Sequence, residues 1–501
     1  MRRSRHTGKM SNSHGGIQNR GEAGAMQMIK SMIAGDEVDS TLPPFDKRYP
    51  ATAEVIAQVQ PATDEMLDEA VQKAREAQKD WAARPGYERA RILNKVALSL
   101  YEHNEALAEC EVRDVGKLFS EAVSADVPSG AEAFEFFASL SATMHGTSHQ
   151  FDGAIGYTMR VPLGVCAGIG AWNYPVQVAC WKAAPALAAG NAFILKPSEE
   201  TPLTANMLAE ILTEAGLPRG LFSVLHGDHQ LGKAICEHPK IAKVSLTGGV
   251  DTGRLIMVQS AQSLKKVTLE LGGKAPLLVF DDGDFDLAVQ TALDANFYTA
   301  GEVCSNATRV FVQNSIADDF IAAVAERARA LVVGDPMSAD SQMGAMISEH
   351  HLNKVLGDVR AACDEGASVV CGGDRLYPEG CETGYFMQPT ILDNCHDEMR
   401  CVRDEIFGPV MSILRFDDED DAVRRANDTA YGLGAGIITR DLSRAHRLAA
   451  RLEAGNIWVN SYNIIPPGLP FGGSKQSGFG REGSVFALEA YTEVKATYIQ
   501  L

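Results

Sequence analysis

The stretch from Glu270 to Cys304 carries the side chains best suited to chemistry. It opens Val267-Thr268-Leu269-Glu270-Leu271-Gly272-Gly273-Lys274 and closes on Gly301-Glu302-Val303-Cys304-Ser305-Asn306. A thiol is a nucleophile for a carbonyl carbon, and a carboxylate is a base that delivers water to the resulting acyl group. Taken singly, a cysteine is more often buried filler, and a glutamate at a strand end is more often solvated. As a pair flanked by glycine and small residues, they point to nucleophilic attack followed by hydrolysis.

An α/β framework must bring the two together. From Asp64 to Arg84 the residues Met66, Leu67, Ala70, Val71, Ala74, Ala77 and Trp81 recur at helical spacing. Further helices are predicted over Glu88 to Glu111 and Ser129 to Ser141. Strands at Tyr157 to Pro162, Val165 to Ala171, Ala192 to Leu195, Phe222 to His226 and Lys243 to Leu246 alternate with helices at Leu203 to Ala215 and Leu231 to His238. Such alternation predicts a doubly wound parallel sheet. After Cys304 it resumes, with strands at Arg309 to Val312, Ser368 to Cys371, Val410 to Phe416 and Asn456 to Asn460, so a second α/β unit is expected. A glycine-rich loop, Pro470 to Glu482, and an extended tail from Val494 close the chain.

No G-x-G-x-x-G follows a strand, and Gly168-Ile169-Gly170 is only a fragment of one. Gly248-Gly249 with Gly253 sits at a strand-to-helix turn, where backbone N–H groups face a phosphate; it reads equally well as a tight turn needing positive φ. Lys196 and Glu199, at the end of a neighbouring strand, supply a cation and a carboxylate. A carboxylate there accepts both ribose hydroxyls and repels a 2′-phosphate, favouring NAD over NADP.

Length and charge narrow the rest. The chain has 501 residues, enough for two or three domains, and its formal charge of −19 argues against nucleic acid and anionic membranes. No run reaches the roughly 18 apolar residues of a membrane helix. The ten cysteines show no C-x-x-C pairs or metal-ligand spacing, so no metal site and a reducing, cytoplasmic location are expected. Arg2, Arg3, Arg5, Lys9 and Arg20 precede any acid, which leaves a mitochondrial transit peptide as the alternative for residues 1–27, otherwise read as a disordered tail.

Seven ordered motifs then resemble the aldehyde dehydrogenase superfamily from about residue 30 onward. They are Gly170-Ala-Trp172-Asn173-Tyr174-Pro175, Leu195-Lys196-Pro-Ser-Glu199, Leu246-Thr-Gly248-Gly249, Leu269-Glu270-Leu-Gly-Gly-Lys274, Gly301-Glu302-Val-Cys304, Glu405-Ile-Phe407-Gly-Pro409 and Pro470-Phe471-Gly-Gly. The resemblance implies two doubly wound domains plus a β oligomerisation arm: an NAD-binding domain (28–147 and 165–274), a catalytic domain (275–475) and the arm (148–164 and 476–501), assembled as a homodimer or homotetramer. It implies that Cys304 attacks the aldehyde, that Asn173 and the Cys304 N–H hold the oxyanion, and that Glu270 activates water. Lys182 and Glu482 match a proton path from that base. Ile169, Trp172, Lys196, Glu199, Gly249, Leu271, Glu405 and Phe407 match positions that hold NAD.

Three positions depart from the pattern. Gly249 replaces a frequent Ser, Glu302 replaces the commoner Gln and places an acid near the thiolate, and Ala307 stands where Gly is usual. The nearest resemblance is to the betaine-aldehyde and 4-trimethylaminobutyraldehyde (aminoaldehyde) branch, through runs such as Gly156-Tyr-Thr and Asn460-Ser-Tyr462-Asn463. That branch lines its substrate tunnel with aromatic rings, and the matching residues are Tyr174, Trp181, Tyr298 and Tyr462. Tyr174 and Trp181 are seven apart, so one helix face is expected to present both. The resemblance implies a trimethylammonio- or amino-aldehyde substrate. The alternatives are an ordinary aliphatic aldehyde, transfer to coenzyme A, or a non-catalytic structural role.

Overall fold

The computed structural model describes residues 26–501. The expected disordered tail, and with it the transit-peptide alternative, lies outside those residues except at its end. There Gln27 already belongs to a strand, Gln27–Ile29, paired parallel with Val55–Val59.

Two open sheets with flanking helices organise the described residues. At the centre of the first, five parallel strands run in the spatial order Lys266–Glu270, Lys243–Thr247, Val165–Ile169, Ala192–Lys196, Phe222–Val224. The chain lays down Val165–Ile169 first, builds outward on one side, then crosses to the other. The order therefore reverses beside Val165–Ile169, and a crevice opens at the carboxyl ends of the strands. Apolar runs such as Ala192–Lys196 are buried along their whole length, as a sheet covered on both faces requires. Helix Asp64–Ala83 starts at Thr63, whose hydroxyl accepts the Met66 N–H, and it buries Trp81 with the indole donating to the Leu187 carbonyl at 2.8 Å.

The second sheet has the order Ser368–Cys371, Thr390–Asp393, Val410–Phe416, Arg309–Gln313, Pro276–Val279, Gly434–Ile438, Asn456–Val459, parallel except for its first strand. Each sheet has its own apolar core. A third, antiparallel sheet joins Ser148–Phe151, Ala154–Pro162 and Thr492–Gln500, with Phe151, Met159 and Tyr498 exposed on it. Among the described residues no helix is long and apolar enough to cross a membrane.

The structure departs from the sequence reading in several places. The helix expected over Glu88 to Glu111 is two, Gly86–Glu102 and Asn104–Val115, broken at His103. Strand Gly434–Ile438 lies outside the expected elements, because two glycines interrupt its apolar pattern. Residues 478–479, expected in the arm, instead pair antiparallel with the edge strand of the first sheet, Gly478 opposite Glu270. Helix Ser484–Ala490 likewise packs on the first core, and the arm proper begins at Thr492.

Candidate active site

At the reversal of strand order lies a cleft of about 510 Å³. Ile169, Trp172, Lys196, Glu199, Gly249, Leu271, Glu405 and Phe407 line it, together with Asn173, Glu270 and Cys304. The eight residues expected to hold a dinucleotide thus share one cleft with the three expected to do the chemistry.

The cleft suits a dinucleotide. Helix Val250–Ala261 has no side-chain cap, so its first N–H groups are left for an anion. Gly249 precedes it with φ −76°, and a Cβ there would meet nothing within 4 Å, so the reading of a turn that needs positive φ is overturned. Lys196 is buried and donates to Glu199 at 3.2 Å, while the Glu199 carboxylate is half exposed toward the cleft. Further along, Trp172 meets Phe407 edge-on at 5.2 Å. Phe407 is held at φ +61°, and its carbonyl accepts His351 Nε2 at 2.6 Å. The Glu405 carboxylate accepts the Gly273 N–H at 2.9 Å and packs onto Gly272, where any side chain would collide with it. Burial pushes Glu405 up to about 7.

Cys304, the expected nucleophile, follows a strained turn. Thr299, Ala300 and Gly301 all adopt left-handed φ, of 49°, 49° and 73°. Each such non-glycine residue costs about 1–3 kcal/mol and persists only where its surroundings hold it. Here the buried Glu121 accepts the Thr299 N–H at 2.9 Å. Cys304 comes next, half-buried. Burial pushes its thiol up to about 12, with the Glu405 and Glu270 carboxyls adding to the effect. Asn173 is buried and donates to the Glu302 carbonyl at 2.8 Å, which ties its amide to the loop that carries Cys304. The Glu302 carboxyl turns away from the thiol. It accepts the Ile347 N–H at 3.1 Å and stands 3.7 Å from His351 Nε2, so the expectation that it acts on the thiolate is corrected in favour of Glu405 and Glu270. Ala307 is buried in an ordinary backbone conformation.

Glu270 ends strand Lys266–Glu270, and neither of its buried carboxyl oxygens has a hydrogen-bond partner among the described residues. Burial holds it well above the usual carboxylate range; Glu482 pushes the same way, and Lys182 and Arg481 oppose. Behind it, Lys182 donates to Glu482 at 2.5 Å and to Ser245 at 3.1 Å, a buried chain of polar groups.

The four expected tunnel aromatics divide. Trp181 and Tyr462 pack with Cys304, Trp458, Phe471, Leu433 and Ile465 in one apolar cluster. Tyr462 also donates to the Ser305 carbonyl at 2.8 Å. Nothing in the sequence marks Trp458 and Phe471 as aromatics of this wall, since their glycine-spaced surroundings carry no such signal. Tyr174 precedes helix Pro175–Ala188 rather than sharing a face of it with Trp181. Its hydroxyl bonds Thr299, and Lys117 Nζ covers one ring face at 3.6 Å. Tyr298 adjoins the same polar group, its hydroxyl raised by burial and by Glu121 and Asp126.

Residues 38–497 match the aldehyde dehydrogenase family. The chain is 51% identical to the betaine aldehyde dehydrogenase of Rhizobium leguminosarum bv. trifolii over 465 residues, 93% of this chain and 95% of that protein. It is also 51% identical to that of Rhizobium etli over 477 residues, 95% of this chain and 98% of that protein. Among solved structures, betaine aldehyde dehydrogenase of Staphylococcus aureus in complex with NAD+ superposes with a TM-score of 0.92 at 36% identity, covering 94% of this chain and 95% of that one. A mutant aldehyde dehydrogenase of Bacillus cereus gives 0.92 at 37% identity, covering 95% and 97%.

Proposed function

Because the chain belongs to the aldehyde dehydrogenase family and oxidises an aldehyde with NAD, we propose that Cys304 is its nucleophile, Glu270 its hydrolytic base, and a trimethylammonio-aldehyde such as betaine aldehyde its substrate. The Cys304 thiol gives up its proton to solvent and its sulfur adds to the carbonyl carbon, the C=O π pair moving onto oxygen to give the oxyanion of a thiohemiacetal. Its oxyanion is held by the second N–H of the Asn173 amide and by the Cys304 backbone N–H; one such donor is typically worth about 3–4 kcal/mol. NAD would supply the acceptor for the hydride leaving the former carbonyl carbon. Lys196 and Glu199 would hold its adenosine ribose, the turn at Gly249 would face its diphosphate, and Glu405 and Phe407 would receive its nicotinamide end. Glu270 then takes a proton from water as the water attacks the thioester, and Lys182 with Glu482 carries that proton away.

The observation that carries the mechanism is Glu270 buried at the Cys304 end of the cleft with both oxygens unengaged. A raised pKa suits a base that must both take and return a proton near neutrality. A carboxylate base serves water rather than coenzyme A. Rapid-mixing kinetics test this: Glu270→Gln should give a burst of NADH and then turnover slowed roughly 100-fold or more. Full-speed turnover, or acyl-coenzyme A as the main product, rejects it.

For the substrate, support comes from the aromatic cluster at Cys304 and from the names of the relatives. Ring faces attract a desolvated quaternary ammonium by about 0.5–2 kcal/mol each. Tyr462→Ala should raise KM more for betaine aldehyde than for an uncharged aldehyde of equal length; equal effects would reject the cage. With exposed Phe151, Met159 and Tyr498 on the arm sheet, a homodimer or homotetramer is the assembly that covers them.

A further inference from the structure

The ribose-reading loop is held by a residue distant in sequence. Between strand Ala192–Lys196 and helix Leu203–Glu214 the chain runs Pro197-Ser198-Glu199-Glu200-Thr201-Pro202. Ser198 secures its middle, its hydroxyl accepting the Glu200 N–H at 3.3 Å and its carbonyl accepting the Thr201 N–H at 3.2 Å. Its far end is capped by the fully buried Asp114, whose carboxylate accepts the Leu203 and Thr204 N–H groups at 2.8 and 3.2 Å. Joining the two is Lys47, from strand Phe45–Arg48. Its ammonium donates to the Asp114 carbonyl at 2.7 Å and to the Glu200 carbonyl at 2.6 Å, and stands 3.8 Å from the Asp114 carboxylate. The lysine is 3% exposed.

A cation buried this deeply is costly unless its partners are fixed. Here two main-chain oxygens and the Asp114 carboxylate compensate it, with the Glu200 carboxylate adding its charge, and one of those oxygens belongs to the residue immediately after Glu199. The tether therefore sets where the Glu199 carboxylate points, without Lys47 itself lining the cleft.

We infer that Lys47 is a positioning residue for the adenosine half of the dinucleotide: its ammonium locks the loop that aims Glu199. This rests on the reading of Lys196 and Glu199 as the ribose site. The test uses the full-length protein and equilibrium binding rather than turnover. Fluorescence titration with NADH, calorimetric titration with ADP-ribose, and titration with reduced nicotinamide mononucleotide, which lacks the adenosine half, separate the two ends of the cleft.

Lys47→Met should weaken NADH and ADP-ribose about tenfold, as expected for loss of one charged hydrogen bond's worth of preorganisation, and leave the mononucleotide unchanged. If Lys47→Met does not fold, Lys47→Gln, which keeps an N–H donor without the charge, is read in the same titrations. NADH affinity within about twofold of the parent, or equal weakening of the dinucleotide and mononucleotide, overturns the inference. Glu199→Gln is measured alongside. If it weakens NADH while Lys47→Met does not, the tether is wrong; if Glu199→Gln has no effect, the ribose site itself is misplaced and the inference falls with it.

Discussion

The three acids near Cys304 differ in what they do to it. The Glu302 carboxyl is spent on the Ile347 N–H and faces His351, whereas Glu405 and Glu270 bear on the Cys304 thiol. A neighbouring negative charge disfavours thiolate, so removing it lowers the pH at which the thiol ionises. Glu405→Gln should therefore move the pH profile of Cys304 alkylation by iodoacetamide to lower pH, and Glu302→Gln should leave it in place. The reverse result would mean that Glu302 controls the nucleophile after all. Glu270 gives a second pH effect. Its carboxyl is held protonated above the ordinary range, so the fraction able to act as base grows as pH rises through that raised pKa. The rate of acyl-enzyme hydrolysis should climb with pH on that limb, and Glu270→Gln should flatten it. Cys304 and Glu270 stood out in the sequence as a thiol and a carboxylate each near glycine or small residues, and the fold lines one cleft with both. Glu121 was not: a single acid in a short helix has no spacing to mark it, and only the fold brings it to Thr299.

Elements position these groups by strain and by close approach. Glu121 anchors the left-handed turn before Cys304, so Glu121→Ala leaves the buried Thr299 N–H without an acceptor. That orphan costs about 1–3 kcal/mol. The expected outcome is a lower melting temperature together with a fall in kcat, since the released turn no longer presents the thiol; an unchanged kcat would separate the turn from catalysis. Strand Gly434–Ile438 shows why some of the fold was hidden. Gly434 and Gly436 spoil its β pattern, yet a Cβ at either would stand within 3 Å of Trp458 or Tyr462. The glycines make room for the aromatic wall, and Gly436→Ala should raise KM for betaine aldehyde by displacing the Tyr462 ring. The alternation of strands and helices, by contrast, read plainly, because buried parallel strands are continuous apolar runs.

At the scale of the molecule, the arm and the closing loop serve different ends, although the sequence reading joined them. Strand Thr492–Gln500 pairs along its whole length with Ala154–Pro162. Removing residues 492–501 should leave both large cores intact and shift the protein to a smaller species in light scattering. If the mass is unchanged, the arm is not what assembles it. Residues 478–482 instead complete the surroundings of Glu270, with Gly478 opposite it in the sheet and Glu482 receiving Lys182 behind it. Because Gly478 and Glu482 follow both Glu270 and Cys304 along the chain, a nascent polypeptide carries its thiol and its carboxylate before the segment that closes the edge beside that carboxylate is made. A premature stop just before Gly478 should yield a product that acylates once and then stalls, visible by mass spectrometry as a persistent adduct on Cys304.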